Sequence, residues 1–407
     1  MTAPDEDAST TTTSTTTTPA PGANLHYLNG DTIYLRGVEP DDAKWGMAWW
    51  PNRFPIAAET LEEQLKKQAP QSGERGSTRL IICRRSDGRL VGSAVIDESA
   101  KTEAYLWLHA DPTLGPAGDP IRAEALRLLV PWLAGERFRP IVITAFAEGD
   151  AALIAAAQGL GMRPSVMLRE GAWRHGQRRD QHWFEYPNPV WIERVGDPGI
   201  GIEAALPAPT NPVPRKRGLT DVPMPQNSFL GSERLALRPF NQSDAELVSR
   251  LVRQESDGGF GHSRIPISQL VFNHWFGEMS SEPISSEMEV AVILRDSGEI
   301  IGEVGLYDID WIGRHAETGS WLYRPEYRGG GYGTEAKLLL LEYAFEVLGL
   351  NMLWSWVKEL NPRSQAALRK QGYRDAGITH WSGFGPEGFE HARMFDLLAS
   401  EWFAGQR

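Results

Sequence analysis

Between Trp321 and Ala336 the chain reads Trp-Leu-Tyr-Arg-Pro-Glu-Tyr-Arg-Gly-Gly-Gly-Tyr-Gly-Thr-Glu-Ala. From Thr334 to Leu348 the residues Ala336, Leu339, Leu340, Tyr343, Ala344 and Val347 recur at helical spacing, so Gly329 to Gly333 fall at a strand-to-helix junction. The first amides of a helix lack partners within it, and the positive end of its dipole lies behind them. Glycines there let a bound group touch the backbone. The junction therefore predicts an anion cradle. No lysine follows, which excludes a Walker loop. The order Arg328-Gly-Gly-Gly331-Tyr-Gly333 is Arg-x-x-Gly-x-Gly, not the fingerprint of a dinucleotide site.

The elements that hold this junction are legible around it. Strands are expected at Leu235–Pro239, Glu289–Arg295, Ile300–Asp308, Ala316–Tyr323 and Met352–Lys358, then near Tyr373–Thr379 and His391–Leu397. Helices are expected at Asp244–Arg253, Ile267–Met279, Thr334–Leu348 and Pro362–Gln371. Asn361 before Pro362 supplies a cap and a first-turn proline. The same order runs earlier in the chain. Leu35-Arg36 with Asp41-Asp42-Ala43 parallels Leu237-Arg238 with Ser243-Asp244-Ala245. Asp87-Gly88-Arg-Leu-Val-Gly92 parallels Ser297-Gly298-Glu-Ile-Ile-Gly302, and Glu103-Ala-Tyr-Leu-Trp107 parallels Glu317-Thr-Gly-Ser-Trp321. Such repetition predicts a duplicated α/β (α+β) domain.

Length and composition bound the rest. The 407 residues allow two or three domains. The division expected is a disordered Thr/Ser/Pro-rich tail at 1–23, a first domain at 24–188, a Pro-rich linker at 189–228 and a second domain at 229–407. No apolar run is long enough to span a bilayer, and the start of the chain lacks a basic segment followed by an apolar core. A cytoplasmic location is expected. One cysteine, Cys83, excludes an internal disulfide, and the nine histidines show no metal-ligand spacing, so no metal is expected. The net charge of −12 disfavours nucleic acid and favours cationic or neutral ligands. The basic cluster Arg174 to Arg179 reads as a solvated loop.

Residues 229–402 resemble the GNAT superfamily of acetyl-CoA-dependent N-acetyltransferases, and within it the RimJ/RimL group. The residues that carry the likeness are Ser232-Glu-Arg-Leu-Ala-Leu-Arg-Pro239, Ala316-Glu-Thr-Gly-Ser-Trp-Leu322, the glycine loop, Asn361-Pro-Arg-Ser364 and Lys370-Gln-Gly-Tyr373. The resemblance implies two tandem GNAT-like domains, each a mixed, mostly antiparallel sheet flanked by helices. It implies acetyl-CoA as cofactor. The amides of Gly329, Gly330, Gly331, Tyr332, Gly333 and Thr334 would hold the pyrophosphate. Arg328 would lie beside it, the strand end Trp321, Leu322 and Tyr323 would pair with the pantetheine arm, and Asn361 would contact that arm.

Acetyl transfer to an amine needs a base for the ammonium proton and an acid for the departing thiolate. Glu317, on the strand leading to the loop, is the expected base; a structural pairing with Arg314 or His315 is the competing reading. Many family members carry a tyrosine eight residues after the asparagine as acid. Here that position is Arg369, and Ser364, one helical turn past Asn361, takes the role. The amine pocket is expected between the first two helices and the last hairpin, with Trp275, Phe276 and Trp381 as walls and Glu255, Asp257 or Glu278 attracting a cation. The acceptor could be a small cationic molecule, an antibiotic or a protein N-terminus. No nucleic acid or membrane partner is expected, and a homodimer is compatible with the reading. The alternative is a non-catalytic acyl-CoA-binding regulator or scaffold. In the first copy Leu114, Ala117 and Asp119 stand opposite Arg328, Gly331 and Gly333, and Asp150 and Leu153 stand opposite Asn361 and Ser364. An aspartate beside phosphates repels them, so the first copy is expected to keep the fold and lose catalysis.

Overall fold

The computed structural model describes residues 27–50, 55–68, 77–100, 102–174, 176–202, 224–254, 268–279 and 285–405. The expected tail at 1–23 and residues 203–223 of the Pro-rich stretch lie outside them. So do Glu255, Asp257 and the side chain of Glu278.

The first half runs β1 Leu28–Asn29, β2 Ile33–Gly37, α1 Gly46–Trp49, α2 Ala58–Gln68, β3 Ser77–Arg84, β4 Leu90–Asp97 and β5 Glu103–Ala110. It continues with α3 Gly118–Gly135, β6 Ile141–Ala147, α4 Ala151–Gly159, β7 Arg163–Arg174 and β8 Gln177–Pro187. A short helix, α5 Pro189–Val195, follows at the start of the stretch read as linker, capped by the Asn188 side chain. The second half runs β9 Leu230–Gly231, β10 Leu235–Pro239, α6 Ala245–Arg253, α7 Gln269–Met279, β11 Met288–Leu294, β12 Ile300–Asp310 and β13 His315–Leu322. Then come α8 Tyr332–Glu342, β14 Met352–Lys358, α9 Pro362–Lys370, β15 Arg374–Gly385, β16 Gly388–Leu398 and α10 Ala399–Ala404. The mixed, mostly antiparallel α/β architecture expected from the repeat is the one observed. Among the described residues no helix is long and apolar enough to cross a membrane.

All sixteen strands form one sheet, ordered β1-β2-β3-β4-β5-β6-β8-β7-β15-β16-β14-β13-β12-β11-β10-β9. The order is a palindrome about the contact of β7 with β15. Each half has one parallel pair, β5 with β6 and β13 with β14. Arg36 pairs with Asp42 at 2.7 Å in one half, and Arg238 with Asp244 at 2.7 Å in the other. β7 and β15 shift register at two places each, and at the second shift Glu170 and Trp381 both take positive φ, 52° and 53°. Left-handed backbone is rare outside glycine, so its recurrence at one place in both hairpins marks the duplication.

Strand alternation and helix periodicity explain how the second core is built. Ala316 on β13 packs with Ala336, Leu339 and Leu340 of α8 beneath the sheet. Thr318, one strand period on, is buried on the same side, so Glu317 between them faces the opposite side. There α6 and α7 cover Ala291, Ile293 and Tyr323. α8 then loosens into a π-helical turn over Tyr343–Val347.

Candidate active site

At the N-terminus of α8, Gly329 and Gly331 adopt φ of 85° and 83°, a conformation that costs glycine little. Arg328 N–H donates to Pro325, and Glu335 N–H to Gly331. Between them, the N–H groups from Gly329 to Thr334 donate to no protein acceptor among the described residues. Free amides at a helix start form an anion site. A cavity of about 420 Å³ opens beside them, lined by Ser320, Trp321, Leu322, Arg328, Gly329, Gly331, Gly333, Thr334, Asn361 and Ser364. Elements far apart in the chain thus bring most of the expected cofactor residues together. Gly330 and Tyr332 turn outward. The Gly330 carbonyl accepts from Arg234 at 3.1 Å, and the Arg234 guanidinium lies 4.2 Å over the Tyr332 ring.

Three cations line this cavity: Arg328, Arg363 and Lys370. Only Arg328 was expected there. Arg363 and Lys370 read as ordinary helix-surface residues, and the one signal for them was their place on the helix that Asn361 starts. Glu303, also on the wall, accepts from the Tyr323 hydroxyl. Asn361 caps α9 by accepting from the Ser364 N–H at 3.2 Å, which turns the Ser364 side chain to the wall. A diphosphate with a slender arm fits this set: free amides, fixed cations and a narrow groove.

The strand end needs a correction. Tyr323 is fully buried in the apolar layer under α6 and α7, and its N–H donates to Ile301 at 3.1 Å. Trp321 pairs with Glu303 of β12. Alternation then turns the main chain of Ser320 and Leu322, not that of Trp321 and Tyr323, toward β14. β13 and β14 pair only from His315↔Met352 to Glu317↔Trp354 and then separate. Hydroxyls bridge the place where pairing stops. Thr318 Oγ1 is 2.7 Å from the Tyr373 hydroxyl and donates to the Trp354 carbonyl at 3.2 Å, and Ser355 donates to the Thr318 carbonyl at 2.8 Å. Burial pushes the Tyr373 hydroxyl's pKa up against the opposing hydrogen bond to Thr318, which suits a structural hydroxyl.

Glu317 lines a different cavity, of about 710 Å³, on the other side of the sheet. Burial pushes its carboxyl up to about 7; Asp308 adds to the rise, while Lys337 and a hydrogen bond from Trp356 oppose it. Lys337 itself is 1% exposed on α8, and burial brings it down to about 7 against the pull of Glu317. A helix lysine reads as solvated, so nothing in the sequence singled it out.

Among the described residues the aromatics expected to wall the amine pocket do not come together. Phe276 is buried, stacked on Phe240 at 4.4 Å, and Trp275 lies edge-on to Phe272. Trp381 is buried elsewhere, stacked on Phe389 at 5.1 Å and packed with Ile141 and Ile143 of the first half. Phe276 and Trp381 are packing residues in two separate layers, and Trp275 is exposed.

In the first half the matching groove is bridged by ion pairs. Asp119, in the first turn of α3, pairs with Arg122 at 2.5 Å and Arg174 at 2.7 Å. Asp150, at the start of α4, pairs with Arg174 at 2.8 Å. Arg174 is thereby no solvated loop residue, as the sequence suggested; it ties together the two helix starts that flank the cavity in the second half.

A glycine loop at the start of α8 thus lies beside two parallel strands that part. Residues 234–374 match the acetyltransferase (GNAT) domain. Two curated relatives come from Bacillus subtilis (strain 168). N-acetyltransferase YnaD, whose function is uncharacterised, is 33% identical over 113 residues, 27% of this chain and 64% of its own. YdaF, provisionally named a ribosomal N-acetyltransferase, is 32% identical over 106 residues, 26% of this chain and 57% of its own. The chain thus spans about three fifths of these relatives' length. A solved Sphaerobacter thermophilus DSM 20745 protein, provisionally named an acetyltransferase, is 37% identical, covering 40% of this chain and 97% of its own at a TM-score of 0.33. The match to the GNAT acetyltransferase domain thus lies within the second half of the chain.

Proposed function

We propose that this chain transfers an acetyl group from acetyl-CoA to a primary amine, using residues 229–407, while residues 24–188 keep the fold without the chemistry. The observation that carries the reading is the run of amides from Gly329 to Thr334, without protein acceptors among the described residues, beside Arg328, Arg363 and Lys370. These groups suit a pyrophosphate. The main chain of Ser320 and the Leu322 N–H face the arm where β13 leaves β14, while the Leu322 carbonyl accepts from Arg328 at 3.0 Å. The cofactor supplies the acyl group as an activated thioester. Glu317, raised into the neutral range, takes the ammonium proton from the far side of the sheet. The Ser364 hydroxyl, on the cofactor side, donates to the departing sulfur.

Incubating the full chain with acetyl-CoA and a panel of small cationic amines, aminoglycosides and peptide N-termini, while following thiol release, tests the reading. Turnover with at least one amine is expected, and Ser364→Ala is expected to lower kcat about a hundredfold with coenzyme A affinity retained. Cofactor binding without thiol release for any amine would favour the non-catalytic acyl-CoA-binding alternative. Absence of cofactor binding would remove both.

A further inference from the structure

We infer that the cavity between the two halves binds an amine carrying at least two positive charges, and that the catalytically silent half supplies one wall of it through Asp97, Glu103 and Tyr105. That this ligand is the acceptor rests on the acetyltransferase reading; that the cavity binds a dication does not.

The cavity holds about 710 Å³, within the range of small-molecule sites. Its carboxylates come in equal number from each half: Asp97 and Glu103 from β4 and β5, Asp308 and Glu317 from β12 and β13. They face a common space. Burial raises Asp308, and the Asp97 charge across the junction adds to it; burial also raises Tyr105, with a further contribution from Glu317. Among the lining residues the only basic side chain is His315, whose Nε2 lies 3.6 Å from Asp310. No lysine or arginine stands among these lining residues; the buried Lys337 acts on Glu317 from outside the lining.

Glu103 carries the argument furthest. It is 7% exposed, takes a hydrogen bond from Tyr105, and leaves Oε2 without a partner among the described residues. A buried carboxylate oxygen with no donor is costly and rare in folded proteins. An ammonium group in the cavity would supply the donor and the charge together. Between the two acidic walls runs an aromatic row. Trp107 stacks on Tyr105 at 5.8 Å, Tyr105 meets Trp183 at 6.0 Å, and Trp183 meets Trp354 of the other half at 6.4 Å. Aromatic faces hold cations and cover the methylene spacers between them. One charge would answer only one wall. A diamine or longer polyamine answers both, with one nitrogen at Glu317 and the next at Glu103.

Calorimetric titration of the full chain with butane-1,4-diamine and with butylamine, with and without coenzyme A, tests this directly. The diamine is expected to bind at least about tenfold more tightly, the ratio one charged hydrogen bond supplies. Glu103→Gln, which keeps the shape, is expected to erase that preference, and Asp97→Asn to reduce it. In a turnover assay the Glu103→Gln loss is expected in the KM for the diamine rather than in kcat. Equal affinity of the native chain for the two amines would overturn the inference, as would an undiminished diamine preference in both variants. If the diamine binds through Glu103 and no acetyl transfer occurs, the dication site stands and the acetyltransferase reading falls.

Discussion

Burial raises two carboxyls along the cavity between the halves, Glu317 and Glu103. Glu317 sits where burial and Asp308 hold its carboxyl at about 7, so an unprotonated base exists only as pH passes that value. The kcat/KM of the native chain is therefore expected to rise through about pH 7 and level off. Glu317→Gln is expected to lower kcat by about a hundredfold to ten-thousandfold and to abolish that limb. A pH profile unchanged in the variant would remove Glu317 as base. The same shift bears on stability. A carboxyl raised on folding stabilises the protein below its unfolded value near 4.5, and that contribution is lost as pH rises through about 7 for Glu317 and about 8 for Glu103. Chemistry at this scale was only partly legible. Glu317 and Ser364 stood out because they flank a recognisable loop. Lys337, Arg363 and Lys370 did not, because a charged residue on a helix has the same spacing whether water or a cavity faces it.

At the scale of elements, the junction of β13 with α8 is set by local rules, and for that reason the sequence predicted it well. Its glycines, its helical period and the capping pair Asn361 and Pro362 are all contiguous signals. Gly331 opens α8 in left-handed backbone with its amide free. Gly331→Asp would strain that conformation and set a carboxylate among the amides, where it would accept their hydrogen bonds and repel phosphate. Coenzyme A affinity by calorimetry is expected to fall at least about tenfold; an unchanged affinity would disprove the cradle. The parting of β13 from β14 was less legible. Thr318, Ser355 and Tyr373 hold it by hydroxyl bridges between three separate segments, and no window of sequence contains that triangle. Tyr323 was misplaced for a related reason. Strand pattern told which residues lie on β13, but the edge that each main-chain group faces depends on pairing with β12.

Over the whole molecule, the duplication builds a two-fold interface inside one chain. Arg169 on β7 reaches Asp396 on β16, with Nε at 3.1 Å and Nη2 at 2.8 Å. Its counterpart on β15, His380, reaches Glu185 on β8 with Nδ1 at 2.8 Å. The same cross-strand bond is thus made once in each direction, as in an isologous dimer. The two halves of one chain occupy this surface, and the cavity with Glu103 and Glu317 lies along it. Asp396 is fully buried and also accepts from Arg374, which is 6% exposed and bonds the Met167 carbonyl across the junction. Without this carboxylate Arg374 would keep only the Met167 carbonyl among the described residues, whereas Arg169 would keep Glu401. Breaking one side of a buried ionic network costs about 3–5 kcal/mol, and both halves depend on this one. Asp396→Ala is therefore expected to lower unfolding free energy by about that amount in a denaturant titration that keeps a single transition. Loss of less than about 1 kcal/mol, or separate transitions for the two halves in the native chain, would mean that the halves stand independently and that the cavity between them has no fixed shape.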